Sequence, residues 1–407
     1  MKLKVEKMVY GGYGITRTGD GIAFVEGAIS GEEVKAELLE KKGSYFFAKA
    51  VKVLSPSPYR VSARCQFFGL CGGCDWQHIS YDGQIAFKEE ILKDLFLRIA
   101  HIDVFPEIVA RSQPWKYRYR ARFHSDHRGR LGFYKAKTHE VVWIGECPLL
   151  EPRINEIKVI VDEIGVAERG TEVTIRSGYK SEDVLVIFKK LRRGRRKELK
   201  RFPFFVLEDG KVIKGRSYTL ERWCGREFRF SYNSFSQINP LVAEDLYLFL
   251  LKELKEFRKI WYLYSGVGIM GVLLALEGKE VKLIESNESS VEDARENLSR
   301  NGVLGLAEVI RGEVETVFPA LVKEFEGEAV LADPPRKGIG KLVIDALKKK
   351  SVEKILYVSC HPPVLARDTV RLREIGYELE SLKWVDMFPQ TSHIEAIGIF
   401  KKRRGRL

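Results

Sequence analysis

The residues of this chain whose types and spacing could do chemistry fall into two groups. In the first, Cys65, Cys71 and Cys74 lie within CQFFGLCGGC, and Cys147 stands far downstream in GECPLL. Three close thiols and a distant fourth suit tetrahedral zinc or an iron–sulfur centre, with unmetallated thiols as the plain alternative. The second group lies in the carboxyl-terminal part. Gly266-VGIM-Gly271 is a G-x-G-x-x-G, and Glu285 ends the next apolar run. Such glycines let backbone approach a ligand, and the acid can accept ribose hydroxyls, as dinucleotides or S-adenosylmethionine require. A packing turn with a solvated Glu would look the same. Asp333 opens DPPR behind the run EAVLA, at a strand end where open α/β sheets bind ligands. Cys360, in YVSCHPP, ends an apolar run before a helix opened by proline. A helix N-terminus there favours a thiolate and lowers its pKa below about 8.5, whereas an inert buried cysteine is the ordinary alternative. His393 and Glu395 fall on one face of a strand by their period of two, with Glu395 a candidate base and His393 a hydrogen-bonded structural residue.

Together a sulfonium donor, a thiolate and a carboxylate base describe methylation of an unactivated vinylic carbon. C5 of a pyrimidine cannot attack a methyl sulfonium until a nucleophile adds at C6, which is the role for Cys360. The C5 proton must then leave, which is the role for Glu395. A nicotinamide-dependent oxidoreductase would share the glycine loop and Glu285 but would have no use for Cys360, DPPR and Glu395.

The elements that must position these groups change along the chain. Residues 1–58 show short alternating runs between Gly-rich turns, which predicts a small β-barrel. Residues 59–226 carry the cysteines, then a helical stretch from Gln84 to Ile99 within a segment (77–108) placed to pack on the catalytic part. Strand-like runs such as VVWIGE and DVLVIF follow. Residues 227–407 alternate strand and helix, which predicts an α/β doubly wound parallel sheet. The 407 residues are 45% apolar and carry a formal net charge of +13, with basic runs at Lys189-KLRRGRRKELK-Arg201 and Lys401-KRRG-Arg406. A polyanionic partner fits that balance, as does the charged surface of a heat-adapted protein. No apolar run nears the roughly 18 residues of a membrane span, and the N-terminus lacks a signal peptide, so a cytoplasmic protein, taken as a monomer, is expected. The six cysteines are too few for a disulfide scaffold.

In order, CQFFGLCGGC with Gln77 and His78, Phe235-SQI-Asn239, the glycine loop, DPPR, SCHPPVLARD and DMFPQTSHIE resemble the uracil-5 RNA methyltransferases over essentially the whole chain. The N-terminal GGYGITRTGDGIAFVEGAISGEEV resembles a TRAM module, an RNA-binding barrel. The resemblance implies a class I methyltransferase fold with Cys360 as nucleophile and Glu395 as base. It implies Gln237, Tyr264, Gly266, Gly268, Glu285, Glu313 and Asp333 as contacts for S-adenosylmethionine. It favours a [4Fe–4S] cluster on Cys65, Cys71, Cys74 and Cys147, and RNA as the partner. The expected target is uridine 54 in the tRNA T loop, with a 23S rRNA uridine as the alternative. Outside catalysis, an RNA-binding iron–sulfur protein would keep the barrel and the cysteines. The chain departs from the family pattern at Tyr262, Ser265 and Ile269 around the glycine loop, and at His361, where Asn is usual. RNA contacts are expected from the barrel, from Arg192–Arg201 and from Trp115-KYRYRAR-Phe123, whose aromatics could equally lie in the core. Cys224 reads as a packing residue.

Overall fold

A computed structural model describes residues 1–323, 326–350 and 352–403. The end of the C-terminal basic run, from Arg404 to Arg406, lies outside the described residues. Three sheets carry the architecture. In the first, the strands run in the order Lys2–Lys4, Glu33–Lys42, Tyr45–Ser55, Gly21–Glu26, Tyr13–Thr18 and Lys7–Val9. Lys2–Lys4 and Lys7–Val9 are consecutive in the chain, yet they pair with opposite edges, Glu33–Lys42 and Tyr13–Thr18. One bent stretch thus bridges the two sides of the sheet and curls it toward a barrel. Alternation sends Ala23, Val25, Val34, Ala36, Phe46 and Ala48 inward, all nearly inaccessible to solvent.

The second sheet has seven strands, with Arg120–Ser125, Glu172–Ser177 and Val184–Phe188 at its centre. Helix Pro152–Ile164 covers one face, burying Ile154, Ile157 and Val161 against Val173 and Ile175. The tip of the basic run, Arg192 to Lys197, is exposed beside this sheet, although Arg195 and Arg196 are paired with Glu198 and Glu208.

The third sheet bears the chemistry. Its eight strands lie in the order Ala307–Arg311, Glu280–Glu285, Lys259–Leu263, Ala329–Ala332, Lys354–Ser359, Glu395–Lys402, Tyr377–Val385 and Glu107–Ala110. The first five are parallel. Glu395–Lys402 runs antiparallel to both neighbours, so the wholly parallel sheet expected from the sequence is corrected to a mixed one. The link from Val385 to Glu395 is too short for a helical crossover of a dozen or more residues, so the chain must return antiparallel. Helices flank both faces and bury two apolar cores. Helix Tyr81–Leu95 packs on one face through Phe87, Ile91 and Leu92, together with Trp76. Met8 and Ile29, from the N-terminal barrel, enter the same core. Among the described residues, no helix is long and apolar enough to cross a membrane.

Candidate active site

The glycine loop follows Lys259–Leu263 at the carboxyl end of the sheet. Tyr264 adopts a left-handed backbone (φ 58°), as do Gly266 (φ 54°) and Gly268 (φ 81°), which caps helix Ile269–Leu276. The glycines differ in what surrounds them. A Cβ on Gly268 would meet the Ala294 Cβ at 3.0 Å, and one on Gly271 would meet Leu283 Cδ2 at 2.5 Å, so these two let the helix pack. A Cβ on Gly266 would meet nothing within 4 Å, so this glycine faces open space, where a ligand can lie against the backbone. Glu285, at the end of the neighbouring strand, accepts from Gly266 N (2.8 Å) and Asn287 N (2.7 Å), which locks the turn and fixes the carboxylate beside it. The Tyr264 hydroxyl donates to Glu315 Oε1 at 3.2 Å. Glu313 is exposed and opens helix Val314–Leu321 without a side-chain cap bond, and Gly312 N ties its loop to the Glu285 carbonyl at 2.9 Å. Gln237 is half-buried in the loop before helix Pro240–Glu253. That helix is capped by Asn239, whose amide also reaches the Met387 carbonyl at 3.4 Å. Of the departures from the family pattern, Tyr262 is buried, Ile269 packs in the core, and Ser265 is buried, its hydroxyl without a hydrogen-bond partner among the described residues.

Cys360 follows strand Lys354–Ser359 and immediately precedes His361, which opens helix Pro362–Glu374. Because Ser359 pairs with Ala396 across antiparallel strands, the next step along the register sets Cys360 opposite Glu395. Glu395 is only 3% exposed, and burial, then the nearby Asp333 carboxylate, pushes its acid well above the usual range against the pull of Arg336. Asp333, half-buried behind Ala329–Ala332, is pushed up to about 7 by burial. The Cys360 thiol is likewise pushed up to about 11, by burial and by Glu395 and Asp333, while a hydrogen bond and the charge of Arg336 oppose the rise. This reverses the expected lowering by the helix N-terminus: in this structure desolvation and two carboxylates outweigh it. Arg336, the last residue of DPPR, is the functional group that the motif contained and that reasoning from residue types passed over. The Tyr10 ring, from the N-terminal barrel, meets the His361 imidazole edge-on at 5.5 Å between centroids.

His393 does not share a strand face with Glu395. The strand begins at Glu395, and the preceding segment is an irregular loop in which Gln390 has a left-handed φ of 67°, so a period of two does not apply. His393 is exposed and packs edge-on against Phe388, while Glu395 points inward. Lys88 pairs with Asp386 at 2.7 Å, both side chains fully buried, and also donates to the Phe388 carbonyl. The Tyr117 hydroxyl donates to the Pro389 carbonyl at 2.9 Å. In the aromatic-basic segment, Tyr117 and Phe123 lie in the interior and Arg122 faces out, so those two rings take the core alternative. Cys224 packs against the core and donates its N–H to Glu244.

Cys65, Cys71, Cys74 and Cys147 line one cavity of about 370 Å³, together with Arg118 and Lys135. Gln77 braces the loop by accepting from Cys65 N at 3.0 Å, and His78 stacks near Phe68. Burial pushes Cys74 up to about 12 and Cys147 up to about 11, so as bare thiols they would stay protonated. Among the described residues, no three His, Cys, Asp or Glu side chains are gathered tightly enough to hold a metal ion.

Residues 219–404 match the family model of the tRNA (uracil-5-)-methyltransferases. An uncharacterized RNA methyltransferase of Aquifex aeolicus is 34% identical over 424 aligned positions, covering 98% of both chains. One of Halalkalibacterium halodurans is 28% identical over 98% of this chain and 96% of its own. Among solved structures, the Pyrococcus abyssi tRNA (uracil-54, C5)-methyltransferase in complex with S-adenosyl-L-homocysteine superposes with a TM-score of 0.78 at 27% identity, covering 98% of this chain and 100% of that one. A sheet that sets a glycine loop beside a cysteine and a buried carboxylate, on a chain with such relatives, leads to one conclusion: the chain belongs to the tRNA (uracil-5-)-methyltransferase family, whose members are S-adenosylmethionine-dependent RNA methyltransferases.

Proposed function

We propose that the enzyme methylates C5 of a uridine in RNA through a covalent adduct with Cys360, and that its target is uridine 54 in the T loop of tRNA. The observation that carries the chemistry is the register that sets Cys360 opposite Glu395, with Asp333 and Arg336 beside them. The Cys360 thiolate adds to C6, and the displaced electron pair passes to O4 as an enolate. C5 of that enolate attacks the methyl group, and S-adenosylhomocysteine leaves. Glu395 removes the C5 proton, the C5–C6 double bond re-forms, and the thiolate is expelled. Burial holds the Cys360 thiol and the Asp333 and Glu395 acids above their ordinary pKa values, and a sulfonium placed against Gly266 would add a positive charge that favours thiolate and carboxylate together. Arg336 works in the same direction on Cys360.

The choice of tRNA is supported by the likeness to the solved tRNA (uracil-54, C5)-methyltransferase along the whole chain. A tRNA enzyme would act in the cytoplasm. The N-terminal barrel serves as the TRAM-like RNA-binding module (1–58), residues 59–226 hold the cluster, and residues 227–407 form the catalytic unit. Cys65, Cys71, Cys74 and Cys147 would hold a [4Fe–4S] cluster that acts as a structural staple. Their shared cavity and its basic lining suit an anionic cluster. Anaerobically purified protein is expected to carry about four iron and about four sulfide per chain. Stoichiometric zinc without sulfide would replace the cluster in this account. For the target, unmodified tRNA and 23S rRNA transcripts are incubated with methyl-labelled S-adenosylmethionine and the product is mapped. Label confined to uridine 54 of tRNA supports the reading, and label in the rRNA transcript alone overturns it.

A further inference from the structure

The loop from Asp386 to Ile394, which leads into Glu395, has a short turn of its own, in which Thr391 donates to the Phe388 carbonyl and accepts from His393 N, but Gln390 and Ser392 are held from outside it. Gln390 sits in a left-handed conformation that costs a non-glycine residue roughly 1 kcal/mol or more, so its surroundings must hold it there. Two remote segments do so. Gln84, in helix Tyr81–Leu95, exchanges both amide bonds with Gln390: its Oε1 accepts from Gln390 N at 2.8 Å, and its Nε2 donates to Gln390 Oε1 at 3.2 Å. The cysteine loop supplies the rest. Trp76 N donates to the Gln390 carbonyl at 3.1 Å, and Ser392 N donates to Asp75 Oδ1 at 2.9 Å. The Ser392 hydroxyl lies beside the Asp75 carboxylate, both within 3.0 Å of the place a Cβ on Gly12 would take. The barrel closes the junction from the third side. A Cβ on Gly12 would strike Asp75 Oδ2 at 2.6 Å and Ser392 Oγ at 3.0 Å, so only glycine fits there. Among the described residues, the Ser392 N–H is the last tie to a distant part of the chain before the strand begins at Glu395.

We propose that Asp75, directly after Cys74, is a positioning residue for Glu395: the bond it accepts from Ser392 N, with the Ser392 hydroxyl beside its carboxylate, couples the cysteine loop to the loop that aims the base. The inference rests on the reading of Glu395 as the group that removes the C5 proton. It makes the cysteine loop mechanically continuous with the active site, so a disturbance of that loop reaches the elimination step before the addition step.

The test compares Asp75→Ala, Asp75→Asn, the milder Ser392→Ala and, as a control, Glu395→Gln, all as full-length holoprotein with iron content measured. Asp75→Ala should slow elimination by about 10²-fold, as a misplacement of about 1 Å does. It should therefore accumulate the methylated covalent RNA complex while forming it at close to the parent rate. Asp75→Asn, whose Oδ1 can still accept from Ser392 N and whose Nδ2 can donate to Ser392 Oγ, should restore turnover, and Ser392→Ala should fall between. Amide exchange over residues 388–394, measured without RNA or S-adenosylmethionine, should quicken in Asp75→Ala, with iron unchanged. Parent-like turnover and exchange in both Asp75→Ala and Ser392→Ala, or loss of iron from Asp75→Ala, would overturn the positioning role. If Glu395→Gln itself fails to trap the complex, the reading of the base fails instead, and the two failures are distinguishable.

Discussion

The glycine loop and the base loop stand over the same sheet and are held in opposite ways. The first is supported locally: Glu285, on the adjacent strand, fills the turn, and Gly268 and Gly271 let the following helix close on Leu283 and Ala294. The second has one local turn at Thr391 and is otherwise braced from elsewhere, by Gln84, Lys88, Asp75, Trp76 and Tyr117, which lie some 300 residues away in sequence. The glycine turn is thus carried by neighbouring elements of one sheet. Glu395, which the strand register sets opposite Cys360, is held in place by the assembled protein.

The largest effect that would break this contrast is at Lys88. Lys88→Met leaves Asp386 buried without its counter-charge, and such a loss costs about 3–5 kcal/mol. Urea denaturation should show a fall of that size, and a fall below about 1 kcal/mol would mean that the base loop does not depend on this pair.

A middle-sized effect of opposite sign is expected at Asp333, whose acid is pushed up to about 7 by burial from an ordinary value of 3.8. A carboxyl raised by folding contributes fully below its unfolded pKa, and the contribution is lost as pH rises through its folded pKa. Asp333→Asn should therefore be more stable than the parent at pH 8, on the order of 4 kcal/mol at most, and close to it at pH 4, while methyl transfer falls. Equal stability differences at the two pH values would contradict the burial argument.

The smallest effects separate the glycines. Gly271→Ala must displace Leu283 and should cost about 1–3 kcal/mol with little change in KM for S-adenosylmethionine. Gly266→Ala should cost only about 1 kcal/mol from its left-handed backbone but raise that KM several-fold, because its added methyl points into open space. Stability curves and initial rates together check the pair, and the reverse pattern would move the cofactor away from Gly266.

The same contrast governs what the sequence discloses. The runs KIWYLYS, EVKLIES, EAVLADPP and KILYVSC coincide with strands Lys259–Leu263, Glu280–Glu285, Ala329–Ala332 and Lys354–Ser359, because a buried parallel strand is a continuous apolar run. The glycine loop and Glu285 are legible because their partners lie within one strand–turn–helix unit. His393 does not follow the period of two because the strand begins only at Glu395, leaving His393 and Ile394 in the irregular segment before it. The raised pKa of Cys360 was invisible, since it arises from burial and from Glu395 and Asp333, which only the folded sheet brings beside it. Asp75 carried a signal only in following Cys74, and nothing in its neighbours announces Ser392. Its partner lies 317 residues away.

The central claim, that Cys360 adds before the methyl moves and Glu395 acts after it, is tested most directly by trapping. Parent, Cys360→Ala and Glu395→Gln enzymes are incubated with tRNA and methyl-labelled S-adenosylmethionine and resolved on a denaturing gel. The account predicts a retarded, labelled protein–RNA band that accumulates for Glu395→Gln, and neither band nor methylated RNA for Cys360→Ala. Methylated RNA released by Cys360→Ala, or free 5-methyluridine formed at the parent rate by Glu395→Gln, would contradict it.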